Sequence, residues 1–127
     1  SRYTVADSND IQQVVTKVAE ENDVIYIPTD NTLANNMEIV KNVTVPAKKP
    51  VIVGEENMCG VGALATLSIS YYSLGYNAGL MAYEILVNGA NPAEMAIQYA
   101  DEVTLKYNAE IAETLKIAIP EGMVAIG

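Results

Sequence analysis

The chain has 127 residues, half of them hydrophobic, which is enough for one domain with a real core and excludes a disordered segment. A net charge of −9 argues against nucleic acid or an anionic membrane as partner and suits a soluble acidic protein. With no His and a single cysteine, Cys59, the sequence excludes an internal disulfide, Ser-His-Asp and Cys-His catalysis, and the usual zinc sites.

Tyr3-Thr4-Val5 is short and β-prone. Asp7-Ser8-Asn9-Asp10 follows, and then Ile11, Val14, Val15, Val18 and Ala19 recur at the spacing of one amphipathic helical face. Ser8 is the expected N-cap, with Asn9 and Asp10 in the first turn, where negative charge suits the helix dipole. That helix should stop near Glu21-Asn22. Val24 to Ile27 is apolar, rich in β-branched side chains and without polar alternation, which predicts a strand covered on both faces, as in a parallel sheet. It ends abruptly at Pro28-Thr29-Asp30-Asn31. A second helix should begin at Asn31, bury Leu33, Met37, Val40 and Val43, and end before Pro46.

Ala47-Lys48-Lys49-Pro50 reads as a turn, and Val51-Ile52-Val53 as the next buried strand, ending at Gly54-Glu55-Glu56-Asn57. Residues 57–62 suit a short helical or irregular turn, because Gly60 and Gly62 disfavour anything longer. Residues 64–70 alternate apolar and small polar side chains and predict a strand with one drier face. A helix from about Ser73 to Val87 carries two apolar stripes, so it is buried on two sides or sits at an interface. Gly75 and Gly79, four apart, would admit a second backbone, and Asn88-Gly89 closes the helix. Val103 to Tyr107 predicts a strand, Asn108 caps a last helix with Ile111, Ala112 and Leu115 inward, and Ile117 to Pro120 ends the organised part. This alternation predicts an α/β fold: a parallel sheet with helices on both faces.

No run of about eighteen apolar residues reads as a membrane span, and no stretch reads as a signal peptide. The chain opens at Ser1-Arg2-Tyr3 without Met, which points to a mature product or an excised segment. The candidate polar groups all fall at strand carboxyl ends or just beyond: Ser8 and Asn9, Thr29 to Asn31, Glu55 to Asn57, and Ser70 to Tyr72. In open α/β sheets that edge binds ligands. Thr29 or Asp30 would equally serve as a plain helix cap, and one carboxylate can do both. Carboxylate together with tyrosine suits a small ligand with an ammonium group and an apolar or aromatic body, such as an amino acid. The ligand's own carboxylate would need backbone N–H groups or an arginine, and Arg2 is the only arginine, so the site looks incomplete within this chain.

Two other readings stand beside that one. An acidic edge could hold Mg²⁺ in a stand-alone receiver-like or flavodoxin-like signalling domain. Asp7 lies near the place such a domain needs, but Lys106 follows a different kind of element. Asp30 and Glu55 could form an acid/base pair, although nothing in the sequence implies a scissile substrate. No nucleotide-type glycine fingerprint is present.

Several stretches, in order, carry a family resemblance. These are Asp23-Val24-Ile25-Tyr26-Ile27-Pro28-Thr29-Asp30-Asn31-Thr32, Pro50-Val51-Ile52-Val53-Gly54-Glu55-Glu56, Gly62-Ala63-Leu64-Ala65-Thr66-Leu67 and Tyr71-Tyr72-Ser73-Leu74-Gly75-Tyr76. Asn108, Leu115 and Ile119-Pro120 follow. Together they resemble the tryptophan/tyrosine-type substrate-binding proteins of bacterial ABC transporters. The resemblance implies a type I periplasmic-binding-protein fold: two Rossmann-like, three-layer α/β lobes that close on a ligand cleft. This sequence resembles only the C-terminal half. Residues 1–70 would be the lobe proper. Residues 71–127 would be a hinge crossing, a helix, a strand and a tail that pack partly on the absent N-terminal lobe or on a homodimer partner. The implied function is non-enzymatic, extracytoplasmic binding of a small solute, an aromatic amino acid, for delivery to an ABC permease. No cofactor or metal is implied. Carried over by position, Asp30 would meet the ligand ammonium, with Thr29 and Asn31 beside it. Glu55, Glu56, Ser70 and Tyr71 would line the cleft, and Asn9 its rim.

Overall fold

Ile11 to Glu21 forms helix α1, burying Ile11, Val15, Val18 and Ala19 as the apolar spacing predicts. The computed structural model describes residues 1–100 and 102–126. Ser8 is not the cap: the helix starts after Asp10, and Asp7 instead folds the approach by accepting the Asn9 N–H at 2.7 Å. Tyr3 to Val5 is not a strand. Tyr3 is held by its hydroxyl, which donates to Glu21 at 2.6 Å and accepts from Asn22 at 3.2 Å.

Strand β1 (Ile25–Ile27) leads into α2 (Asn31–Ala34) and α3 (Met37–Thr44). The expected single helix is therefore broken at Asn35-Asn36. There the Asn36 side chain donates to the Thr32 carbonyl at 2.7 Å, competing with the backbone ladder. Strand β2 (Val51–Val53), α4 (Glu56–Gly62) and β3 (Ala65–Ile69) follow. Ile25, Tyr26 and Ile27 pair in parallel with Val51, Ile52 and Val53, and β2 pairs in parallel with β3. Strand β4 (Val103–Asn108), α6 (Ala109–Leu115) and β5 (Val124–Ile126) complete a five-stranded sheet in the order β1-β2-β3-β4-β5.

The α/β architecture is as expected, but the sheet is mixed. The Asn108 N–H donates to the Leu64 carbonyl, just before β3 begins, while Lys106 reaches Glu56, whose carboxylate also takes the hydroxyl of Ser68 farther along β3. β4 therefore runs against β3, and β5 runs parallel to β4. Residues 1–68 and 104–127 cluster as one unit and residues 69–103 as another, so the tail rejoins the first unit. The connection from β3 to β4 runs through the second unit, and a returning strand is free to run the opposite way.

In the first unit, α1, α3 and α4 cover one face. Ile25, Ile27, Val51 and Val53 point into a core with Ile11, Val15, Met37, Val40, Met58 and Cys59. Lys106 and Asn108 turn toward α4, so by alternation Tyr107 faces the other side, where Ile111 and Ala112 of α6 pack near it. On the same face Ala65 packs with that cluster and Ile52 is half-buried. Tyr26 is 66% exposed and Leu67 is 53% exposed, so β1 is covered on one face only. The exposure of Tyr26 corrects the expectation of a doubly covered strand.

The second unit consists of α5 (Tyr71–Leu86), a 3₁₀ turn (Pro92–Glu94) and extended chain. Helix α5 begins two residues earlier than expected, because Ser70 caps it by accepting the Ser73 N–H at 3.1 Å. Gly89, with φ +72°, ends the segment as expected. No side chain of α5 is buried, and the space over Gly75 and Gly79 is open.

Candidate ligand-binding edge

The carboxyl ends of β1 and β2 meet closely. The Gly54 N–H donates to the Ile27 carbonyl at 3.0 Å, and a Cβ at Gly54 would stand 2.7 Å from both the N and the Oγ1 of Thr29. Only glycine lets the two loops approach this far. Thr29, Asp30, Glu55 and Glu56 are thereby gathered at one place. Asn9 lies in the turn that opens α1. Its N–H donates to the Asp7 carboxylate at 2.7 Å.

The side chains differ in what they have left to offer. Asp30 caps α2, with Oδ1 accepting the Leu33 N–H at 2.8 Å, and the residue is exposed. Asn31 and Thr29 beside it are exposed as well. Glu55 is buried, and its two oxygens accept from Asn57 N–H at 2.9 Å and Met58 N–H at 2.6 Å, so its carboxylate is spent on the first turn of α4. Glu56 is half-exposed. Its Oε2 accepts from Lys106 Nζ at 2.6 Å and from Ser68 Oγ at 3.3 Å. The lysine's hydrogen bond, ahead of its charge, holds the Glu56 carboxyl below the usual glutamate range. Ser70 and Tyr71 belong to the second unit, where Ser70 caps α5 and Tyr71 is exposed.

Lys106 and Ser68 escape a reading of the sequence by sheet edges, since both sit inside strands. The available signal is alternation: Lys106 and Asn108 share a strand face, and a lone lysine inside a strand needs an anion. Cys59 is inert here. Burial pushes its thiol up to about 11, and its sulfur lies 3.5 Å from the Ala63 carbonyl. Among the described residues no three Cys, Asp or Glu side chains gather to hold a metal ion, and no helix is long and apolar enough to cross a membrane.

The family described as ABC transporter substrate binding protein matches residues 1–126. The chain belongs to that family. A tyrosine-binding protein from Clostridioides difficile is 33% identical over 111 residues, covering 87% of this chain and 32% of its own length. An ABC domain from Streptococcus pneumonia, solved in complex with L-Trp, is 31% identical with a TM-score of 0.85, over 99% of this chain and 44% of that one. A substrate binding protein with adhesive properties from Clostridium difficile, in a ligand-free, open structure, is 33% identical with a TM-score of 0.79, over 99% of this chain and 43% of that one. This substrate-binding family chain thus spans less than half the length of the relatives it matches.

Proposed function

We propose that this chain is the C-terminal half of the solute-binding component of a bacterial ABC importer. In this reading the carboxyl edge of β1 and β2 is one wall of a cleft for a small solute, an aromatic amino acid. One observation carries the reading: the two loops close on each other at Gly54 and bring exposed Asp30 and half-exposed Glu56 to the edge where α/β sheets take ligands. The L-Trp complex and the tyrosine-binding relative support the solute class.

Asp30 gives Oδ1 to its helix and keeps Oδ2 for the ligand ammonium, a charge-assisted bond. Thr29 and Asn31 flank it, Glu56 lines the wall, and Asn9 stands at the rim. Glu55 shapes the wall by holding α4 and does not bond the ligand with its carboxylate. Ser70 and Tyr71 start the second unit, where exposed Tyr71 offers a ring for stacking. The apolar faces of α5 pack on an N-terminal lobe outside this chain. The role is binding without catalysis, outside the cytoplasm, with delivery to an ABC permease.

Calorimetric titration of the full-length protein with L-tryptophan and L-tyrosine tests this. Heat of binding is expected, and Asp30→Ala should weaken it by about 2–5 kcal/mol. Asp30→Asn keeps the cap acceptor and removes the charge, so its loss of affinity should come without loss of stability. No heat and no thermal shift with either amino acid overturns the reading. An Asp30→Ala change below about half a kcal/mol removes Asp30 from the site.

A further inference from the structure

Ser68 is the last residue of the first unit before the chain leaves it, and Thr104 is the first residue on return. Ser68 and Lys106 both donate to one atom, Glu56 Oε2, at 3.3 and 2.6 Å. Glu56 opens α4, immediately after the Gly54-Glu55 wall. The one carboxylate oxygen therefore joins the first turn of α4 to two pieces of chain 12 and 50 residues away, the outgoing strand and the returning strand.

The other ion pair among the described residues shows what an incidental contact looks like. Lys49 meets Asp23 at 3.5 Å in the turns before β1 and β2, with the aspartate side chain fully exposed. Such a pair contributes little. The Glu56–Lys106 pair is shorter, its carboxylate side chain is 41% exposed where that of Asp23 is fully exposed, both lysines being 25% exposed, and it is reinforced by a hydroxyl. Two donors on one carboxylate oxygen, one of them a cation, hold the three groups together more closely than an isolated exposed pair would.

We propose that Glu56 is a positioning residue that anchors both chain crossings to the ligand edge, so that the outgoing and returning strands move with the first turn of α4 as one body. The inference rests on the binding reading above only for its affinity readout; the anchoring itself is tested separately. Lobe closure on a solute needs crossings that bend at defined points, and a shared anchor at Ser68 and Lys106 places the bending beyond both residues, outside the first unit.

The test is amide hydrogen exchange on the full-length protein, wild type against Glu56→Gln, Lys106→Met and Lys106→Arg, with L-tryptophan affinity measured on the same samples. Faster exchange confined to residues 66–70 and 103–107 together is expected in Glu56→Gln and Lys106→Met, with Lys106→Arg close to wild type. L-Tryptophan should bind about tenfold more weakly to the first two variants, and the double variant should lose no more than either single one. A rise at only one crossing, a rise spread evenly through β1 and β2, or unchanged exchange overturns the anchor. So does unchanged affinity in variants whose exchange has risen. Wild-type protein that binds no aromatic amino acid overturns the binding reading instead, and exchange then decides the anchor alone.

Discussion

Asn108 ends β4 and starts α6 with one side chain. Its Oδ1 accepts the Ile111 N–H at 3.2 Å, and its Nδ2 donates to the Cys59 and Gly60 carbonyls at 3.1 and 3.0 Å. The cap was legible, because Asn before a helical pattern is a start signal. The two carbonyls were not, since they lie 49 and 48 residues away. Asn108→Ala should therefore cost more than a cap alone, about 2–3 kcal/mol by urea denaturation. A loss near half a kcal/mol would mean that the carbonyls find water. Glu55 teaches the reverse lesson. As a letter it looks like Glu56, another acid at a strand end. Only its burial and its two backbone donors show that it closes a helix. Thr66 is the one buried side chain among those described whose polar atom has no partner.

At the scale of elements, most starts and stops follow from local chemistry. Pro46 and the Lys48 turn end α3, and Gly89 ends the segment after α5. Two misjudged boundaries are set by side chains: Asn36 donates to a carbonyl and breaks the second helix, and Ser70 caps α5 early. Strand β5 was missed altogether. Val124-Ala125-Ile126 is too short to declare itself, and it is a strand because Lys106 to Asn108 offer it an edge. The Glu56–Lys106 contact ties such elements together, and it titrates. The folded pKa of Glu56 is lowered, so its stabilisation is complete above the ordinary glutamate range and is lost as pH falls through the folded value. Wild type should thus exceed Glu56→Gln in stability at pH 7. The gap should narrow as pH falls from neutral through and below the ordinary glutamate range, in melts taken across it. A gap independent of pH would remove the charge from the explanation.

At the scale of the molecule, α5 is the outlier. Tyr72 and Leu86 are each 83% exposed, and Tyr71, Tyr76, Leu80 and Tyr83 are at least half exposed. Apolar stripes of this extent mark surfaces that another surface covers. The 127-residue chain alone should associate, and light scattering should give a mass above 13.6 kDa despite the charge of −9. A monomer would show that the chain tolerates these faces in water. The sequence by itself determined the α/β class and the order of most elements from α1 to α6, because periodicity, caps and breakers act within a few residues of chain. Only the tertiary structure decided that β4 runs against β3, that β1 is covered on one face, and that Lys106, Ser68 and Glu56 meet at one oxygen. Those facts depend on which distant segments come together, and pairings across 12 to 50 residues leave no periodic trace in the chain.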